Sequence, residues 1–432
     1  MPLLVLIYFL NFLDRVNVGY ASLTMNKDLG LTASTFGLGA GLFFIGYFFF
    51  EVPSNLVLHR VGARLWIARI MITWGVTAAA TAFVHTDVQF FVARFLLGVA
   101  EAGLFPGVIL YMTYWFPARE RARITALFLL AIPLSSVVGS PLSTAILQYT
   151  DGWFGQSGWR VMFLLEGVPS VLVGICVFFL LPNGPAEARW LTAAQRRRII
   201  DDVSGDASAA SGHESTVWRA LLNARVITLS VVYFGLVYGL YALSFFLPQL
   251  VSGLAEEFGT EFSLLEVGLV SSIPFVFASM TMWWAGRHSD RTGERVMHTA
   301  FPAFLAALGL AISLVFSSSP YVLMAGLVCL AAGIFASIPP FWSLPSSFLE
   351  GTALAGGIGL INSFGNLSGF VGPYLTGWFK DWTGDFHAGL AVVAGFMALS
   401  GALTLMLRKR LEPYKTAAPL RTDRAAVSRN SP

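Results

Sequence analysis

Twelve stretches of about twenty apolar residues follow one another along this chain, and few folds can accommodate them. A hydrocarbon layer about 30 Å thick is crossed by roughly twenty residues of helix. Inside it every backbone amide needs an internal partner, which leaves helices and closed barrels, and stretches of this length predict helices. The windows run over residues 3–25, 36–58, 66–84, 88–113, 123–147, 158–181, 224–252, 264–286, 297–316, 321–344, 352–378 and 386–407. Composition agrees, with 56% hydrophobic and 12% charged residues, where a soluble domain carries about 25% charge. The first window has no basic leader and contains Asp14 and Arg15, so it reads as a span and not as a cleavable signal. Cys176 and Cys329 fall within apolar runs, where they read as small buried residues.

Positive charge orients the spans, because loops rich in Lys and Arg stay on the cytoplasmic side. With the N-terminus inside, 22 of the 27 Lys and Arg fall on the cytoplasmic side; Lys27, Arg160 and Lys380 fall outside, and Arg15 and Arg94 are intramembrane. One missing or extra helix would invert that bias downstream, so an even number with both ends inside is expected. The net charge of +3 reflects this topology and not a nucleic-acid partner.

One long polar segment interrupts the interior of the chain, dividing it into a first half over 1–181, a cytoplasmic linker over 182–223, a second half over 224–408 and a basic tail over 409–432. Within the linker, WLTAAQRRRII has the pattern of a short amphipathic surface helix, and SGDASAASGHES that of a flexible connection. The two halves carry related turns after their second helices, N-L-V-L-H-R-V-G-A-R from Asn55 to Arg64 and G-R-H-S-D-R-T-G-E-R from Gly286 to Arg295. Such an internal repeat of six helices is the pattern of alternating-access carriers, with a site at midplane between the halves.

The turn signature, the twelve spans and the central loop resemble the major facilitator superfamily. The segments YFLNFLDRVNVGYA, ARFLLGVAEAGLFPG, YWFPARERAR and GWRVMFLLEG are similar to its anion:cation symporter branch. The resemblance covers nearly the whole chain, and its specific element is the Asp-Arg pair on the first helix with Arg and Glu on the fourth. In the second half, FGLVYGLYALSFFLPQ and PPFWSLPSSFLEGTALAGGIGLINSFGNLSGFVGPYLTG look most like the tartrate and 4-hydroxyphenylacetate permeases, with the hexonate carriers as further relatives. The resemblance implies an all-α membrane protein of two six-helix bundles in a bacterial inner membrane, working as a monomer. It departs from the pattern at the first-half turn, where His59 stands at the expected acid and Asn55 at the expected Gly. A histidine there makes the inner latch weaker or pH-sensitive.

The charged residues can be read on their own. Ionised groups in a helix centre cost roughly 2.5–3.5 kcal/mol each on insertion scales, so four of them in two spans imply a use. Arg94 and Glu101 are seven positions apart and share a helix face about 10 Å apart along the axis. Asp14 and Arg15 point about 100° apart. Packing of the first helix on the fourth predicts cross-pairing of Asp14 with Arg94 and Arg15 with Glu101, neutralising all four. Burial and a neighbouring guanidinium act in opposite directions on a carboxylic acid, so Asp14 and Glu101 are the candidate proton-coupling groups. When such an acid takes a proton its arginine loses a partner and turns to the bidentate fork of an incoming carboxylate. Arg15 and Arg94 are therefore the candidate anion-binding groups.

Tyr47, Tyr238, Tyr241, Trp342, Ser343, Asn362, Ser363 and Asn366 are placed to line the midplane cavity, with Ser135, Ser136 and Phe12 nearby. His59, Arg60 and Arg64 in the first turn, and Asp290, Arg291 and Arg295 in the second, are the candidate gate. Glu166 reads as structural, bonded to nearby backbone, and Glu51 as a latch to cytoplasmic arginines. The six histidines sit in or near loops and form no metal set, which removes the main option for an integral-membrane enzyme. The expected function is proton-coupled import of a small organic carboxylate, with the proton gradient as energy source and no cofactor. Anion exchange or facilitation by the same fold, and a transporter-like sensor, are the alternatives.

Overall fold

The computed structural model describes residues 1–209, 223–257, 259, 261–316, 319–349 and 351–411. The described residues contain helices and no strand. In chain order the helices are α1 (Pro2–Leu29), α2 (Ala33–Val61), α3 (Ala63–Ala80), α4 (Asp87–Glu101), α5 (Leu104–Thr113), α6 (Ala118–Leu129), α7 (Ala131–Tyr149), α8 (Gly158–Leu180) and α9 (Ala193–Ala209). The second half supplies α10 (Ala224–Glu257), α11 (Leu264–Thr292), α12 (Val296–Val315), α13 (Pro320–Phe341), α14 (Gly351–Thr383) and α15 (His387–Leu411). Among the described residues eleven spans are long and apolar enough to cross a membrane. The remaining expected span falls on α14, at 33 residues long enough, but glycine-rich and carrying Asn362, Asn366, Lys380 and Asp381. Helix α9 takes in residues 193–200 of the segment read as amphipathic and continues to Ala209, into the stretch read as flexible; the rest of that stretch and the basic tail after Leu411 lie outside the described residues.

Two of the expected spans are each made of two helices, and proline chemistry explains both breaks. A proline clashes with the carbonyl four residues earlier in a continuous helix. Pro106 meets that constraint at Ala102, where the chain leaves helical geometry and Gly103 turns it with φ 87°, a left-handed conformation natural to glycine. Glu101 thereby becomes the last residue of α4. Pro133 places the same constraint on Leu129, and α6 ends there, with α7 resuming at Ala131. Elsewhere the helix ends follow local signals: Thr32 and Ser263 close capping boxes at the starts of α2 and α11, and Gly30 ends α1 in left-handed geometry.

The halves meet along an antiparallel seam between α2 and α14 that only small residues permit. A Cβ on Gly377 would lie 2.1 Å from the Ala33 carbonyl oxygen, one on Gly37 would lie 2.3 Å from that of Pro373, and one on Gly41 would meet Phe370. On the face away from the arginine-rich turns the halves are tied together. Asp381 of α14 accepts from the amides of Ala33 (3.1 Å) and Ser34 (2.9 Å) and from the Ser34 hydroxyl. Gln249 donates to Ser22 at 2.9 Å, and Gln148 accepts from the Leu265 amide at 2.9 Å. On the arginine-rich face the halves part around a cleft of about 910 Å³, lined by Glu120, Ala126 and Leu130 of one half and Trp283, Asp290 and Arg291 of the other.

Candidate functional site

Arg15 lies at the centre of the molecule, 6% exposed, with its guanidinium between the two halves. Its Nη2 donates to Glu101 Oε2 at 2.6 Å and its Nε to the same oxygen at 3.3 Å. Nη1 donates to the Tyr241 hydroxyl at 3.2 Å, which reaches in from α10 of the second half. Asn11, one turn earlier on α1, donates to Glu101 Oε2 at 2.7 Å and accepts from Arg15 Nη2 at 3.2 Å. Around this polar group the rings of Phe12, Phe43 and Tyr47 stand 4.8, 4.9 and 5.4 Å from the guanidinium carbon. The rings stabilise the cation by their quadrupoles, beside its ion pair with Glu101. Glu101 is completely buried, and its second oxygen, Oε1, has no hydrogen-bond partner among the described residues.

The expected pairing holds for Arg15 with Glu101 and fails for Asp14 with Arg94. The 100° turn between residues 14 and 15 sends Asp14 away from α4, into the interior of the first half. There its Oδ2 accepts from Trp74 Nε1 of α3 at 2.8 Å and Ser170 Oγ of α8 at 2.6 Å. Arg94 is fully buried, its guanidinium nitrogens meet no acceptor among the described residues, and its carbon lies 5.3 Å from the ring of Phe43. Phe43 is thus flanked by both arginines.

Two further acids depart from their expected partners. Glu166 accepts side-chain donors and not backbone ones, Asn17 Nδ2 at 2.8 Å and Ser143 Oγ at 2.7 Å, which knit α1, α7 and α8. Glu51 does not reach the arginine-rich turns. It sits one turn beyond Tyr47 on α2 and accepts from Asn362 Nδ2 at 3.0 Å and Asn366 Nδ2 at 3.4 Å, both on α14 of the other half. These asparagines, expected to line the midplane cavity, are in this conformation bonded to a carboxylate of the protein.

Of the remaining candidates, Tyr47 and Tyr241 join the Arg15 group. Tyr238 points elsewhere and packs on Phe396 of α15 with ring centroids 4.7 Å apart. Trp342 packs edge-on against Tyr233 at 4.8 Å. Ser343 and Ser363 are half-buried and make no hydrogen bond to Arg15, Glu101 or Glu51. Ser135 bonds the Ile132 carbonyl of its own helix. In the second-half turn Arg295 pairs with Asp290 at 2.7 Å and bonds Ser289 Oγ at 3.0 Å, a contact internal to the turn. Arg291 lines the cleft with Asp290. In the first turn the Arg64 amide donates to Asn183 at 3.1 Å, Arg60 is exposed, and the His59 side chain lies outside the described residues. Among the described residues Arg60 and Arg64 make no hydrogen bond or ion pair to Asp290, Arg291 or Arg295.

Asn11, Phe43, Trp74, Ser170, Asn17 and Ser143 were missed from sequence. Asn11, four residues before Arg15 on the same helix face, carried a usable signal; the others are marked by tertiary contact alone.

Residues 4–373 match the family model of the Major Facilitator Superfamily. The chain is 48% identical over 408 residues to an Agrobacterium vitis protein named "Putative tartrate transporter", covering 94% of this chain and 89% of that one. It is 37% identical over 407 residues to the "Inner membrane transport protein RhmT" of Escherichia coli, covering 94% and 93%. The fold matches that of a bacterial homologue of the human lysosomal transporter Spinster, solved in an inward-facing, unoccupied conformation, with a TM-score of 0.75 at 16% identity over 95% of this chain and 97% of that one. From the two helical halves, the seam between them and these matches, the chain belongs to the Major Facilitator Superfamily, a family of membrane transporters and not of enzymes.

Proposed function

We propose that this protein is a secondary carrier that imports a small hydroxylated carboxylate together with protons, by alternating access of the central Arg15 site to the two faces of a bacterial inner membrane. The carrying observation is the Arg15–Glu101 pair: a buried fork whose carboxylate partner uses a single oxygen, roofed by Tyr241 from the opposite half. Glu101 and the substrate compete for one cation. A proton on Glu101 weakens the charge-assisted bond and turns the fork toward the anion. Tyr241 ties the same guanidinium to the second half, so a change at the fork is felt across the seam.

The aromatic box suits a compact solute, and the buried cation Arg94 beside Phe43 supplies a second positive field for a dicarboxylate. That chemistry, together with the name of the Agrobacterium relative, favours tartrate-class acids over 4-hydroxyphenylacetate-class acids. The arginine-rich turns orient that face to the cytoplasm, with both termini inside, and the cleft then opens inward. The protein works as a monomer, with the proton gradient as its energy source and no cofactor. The test is uptake of radiolabelled tartrate and 4-hydroxyphenylacetate into proteoliposomes under an imposed inward proton gradient. Accumulation that a protonophore abolishes is expected; accumulation unchanged by the protonophore, or dependent on a counter-anion loaded inside, would replace symport by facilitation or exchange.

A further inference from the structure

The buried acids of this protein differ in one respect that bears on coupling. Asp14 is held by Trp74 and Ser170, Glu166 by Asn17 and Ser143, and Glu101 by Asn11 and Arg15, all partners within the first half. Glu51 alone among the four is held by the second half, through Asn362 and Asn366. A ligand, a proton included, shifts a conformational equilibrium only through a difference in its binding to the two states. Rocking of one half on the other leaves the partners of Asp14, Glu166 and Glu101 in place, whereas it makes or breaks those of Glu51. We propose that Glu51 is the carboxyl through which protonation is coupled to the movement of the halves, acting as a cross-half gate while Arg15 and Glu101 handle the anion.

Position supports this role. The Gly-lined contacts of α2 with α14 run from Ala33 against Gly377, through Gly37 and Gly41, to Phe44 against Gly369. The Glu51 tie to Asn366 and then Asn362 follows these toward the arginine-rich face, beside the cleft. As a carboxylate, Glu51 accepts one amide on each oxygen; as an acid it loses charge and half of that acceptor capacity, and the tie weakens. The tie is made while the arginine-rich face is parted, so ionised Glu51 favours this conformation and a proton releases the halves from it. The titratable groups facing Glu51 are Arg15 from α1, Tyr47 on its own helix and Tyr233 from α10, while α14 presents the two neutral amides. Glu51 makes no ion pair among the described residues. This inference rests on the proton-coupled reading, which it deepens by naming the residue that transmits the proton's effect.

The experiment needs no substrate. A single reporter, Ala126→Cys in the cleft with Cys176 and Cys329 replaced by alanine, is labelled by a maleimide in nanodiscs across a range from about pH 5.5 to about pH 8, rates being corrected for thiolate fraction with a free-thiol standard. In the parent the corrected rate should fall at least roughly threefold toward acid, a population shift of modest size. Glu51→Gln should hold the rate at the acid value throughout, and Asn362→Ala, which removes the partner on the other half, should do the same if Glu51→Gln is poorly folded. A parent-like pH response in both variants, or no response in the parent, overturns the assignment. Gradient-driven uptake of labelled tartrate by the parent tests the underlying carrier reading separately, since it can succeed while Glu51 proves inert and can fail while the labelling response persists.

Discussion

Arg15 owes its central place to what surrounds it and not to its charge alone. An isolated guanidinium at this depth would be expensive; here Glu101, Asn11, Tyr241 and three rings share it. The planar fork matters because a lysine offers a point charge with no bidentate geometry. Arg15→Lys is therefore expected to lower kcat/KM for uptake at least about tenfold, about 1.4 kcal/mol of binding to the transported anion, with the protein still folded by size-exclusion chromatography. Transport by Arg15→Lys equal to the parent would remove Arg15 from the anion site. Glu101→Gln keeps the size and hydrogen bonds of the side chain while removing its titration. It is expected to retain exchange of labelled for unlabelled substrate and to lose accumulation against a gradient, both read in the same proteoliposomes.

The site depends on how closely α4 approaches α2. Gly98 makes that approach possible: a Cβ there would lie 1.9 Å from the Phe43 carbonyl oxygen and 3.0 Å from the Tyr47 amide. Those two residues form part of the box around Arg15, and Glu101 stands one turn beyond Gly98. Gly98→Ala must push α4 off the α2 segment that carries the box, an overpacking cost of about 1–3 kcal/mol. A lowered thermal transition and a raised KM are expected together. Unchanged values of both would show that the contact is looser than described. At this scale the sequence marked the apolar spans. It did not show that Pro106 would end α4 at Glu101, because a hydropathy window integrates over a break of two residues.

Across the whole molecule, one face is tied and the other parted. Asp381 caps the start of α2 from the end of α14, accepting from Ala33 and Ser34, so a carboxylate of one half satisfies the free amides of a helix in the other. Caps of this kind contribute about 0.5–2 kcal/mol. Asp381→Ala should therefore shift the balance toward opening of that face by roughly twofold to thirtyfold. The readout is maleimide labelling of Leu23→Cys, which lines a cavity of about 400 Å³ there with Gln249, Lys380 and His387. No change in labelling would mean that Gln249 with Ser22 and Gln148 with Leu265 hold the face without help from Asp381.

The spans, the two halves, the family and the Arg15–Glu101 pair were all determined by the sequence alone. Apolar length, loop charge and helical spacing are local properties that a chain displays before it folds. The partners of Asp14, Glu51 and Glu166 were decided by tertiary structure. A buried acid takes whichever donors the packing brings within 3 Å, and Trp74, Ser170, Asn17, Ser143, Asn362 and Asn366 come from helices far apart in sequence. Glu51 shows the difference most sharply: from sequence it belonged to the nearest arginines, and the fold gave it instead to the opposite half, because the glycine seam draws α14 against α2 before the chain reaches its basic turn.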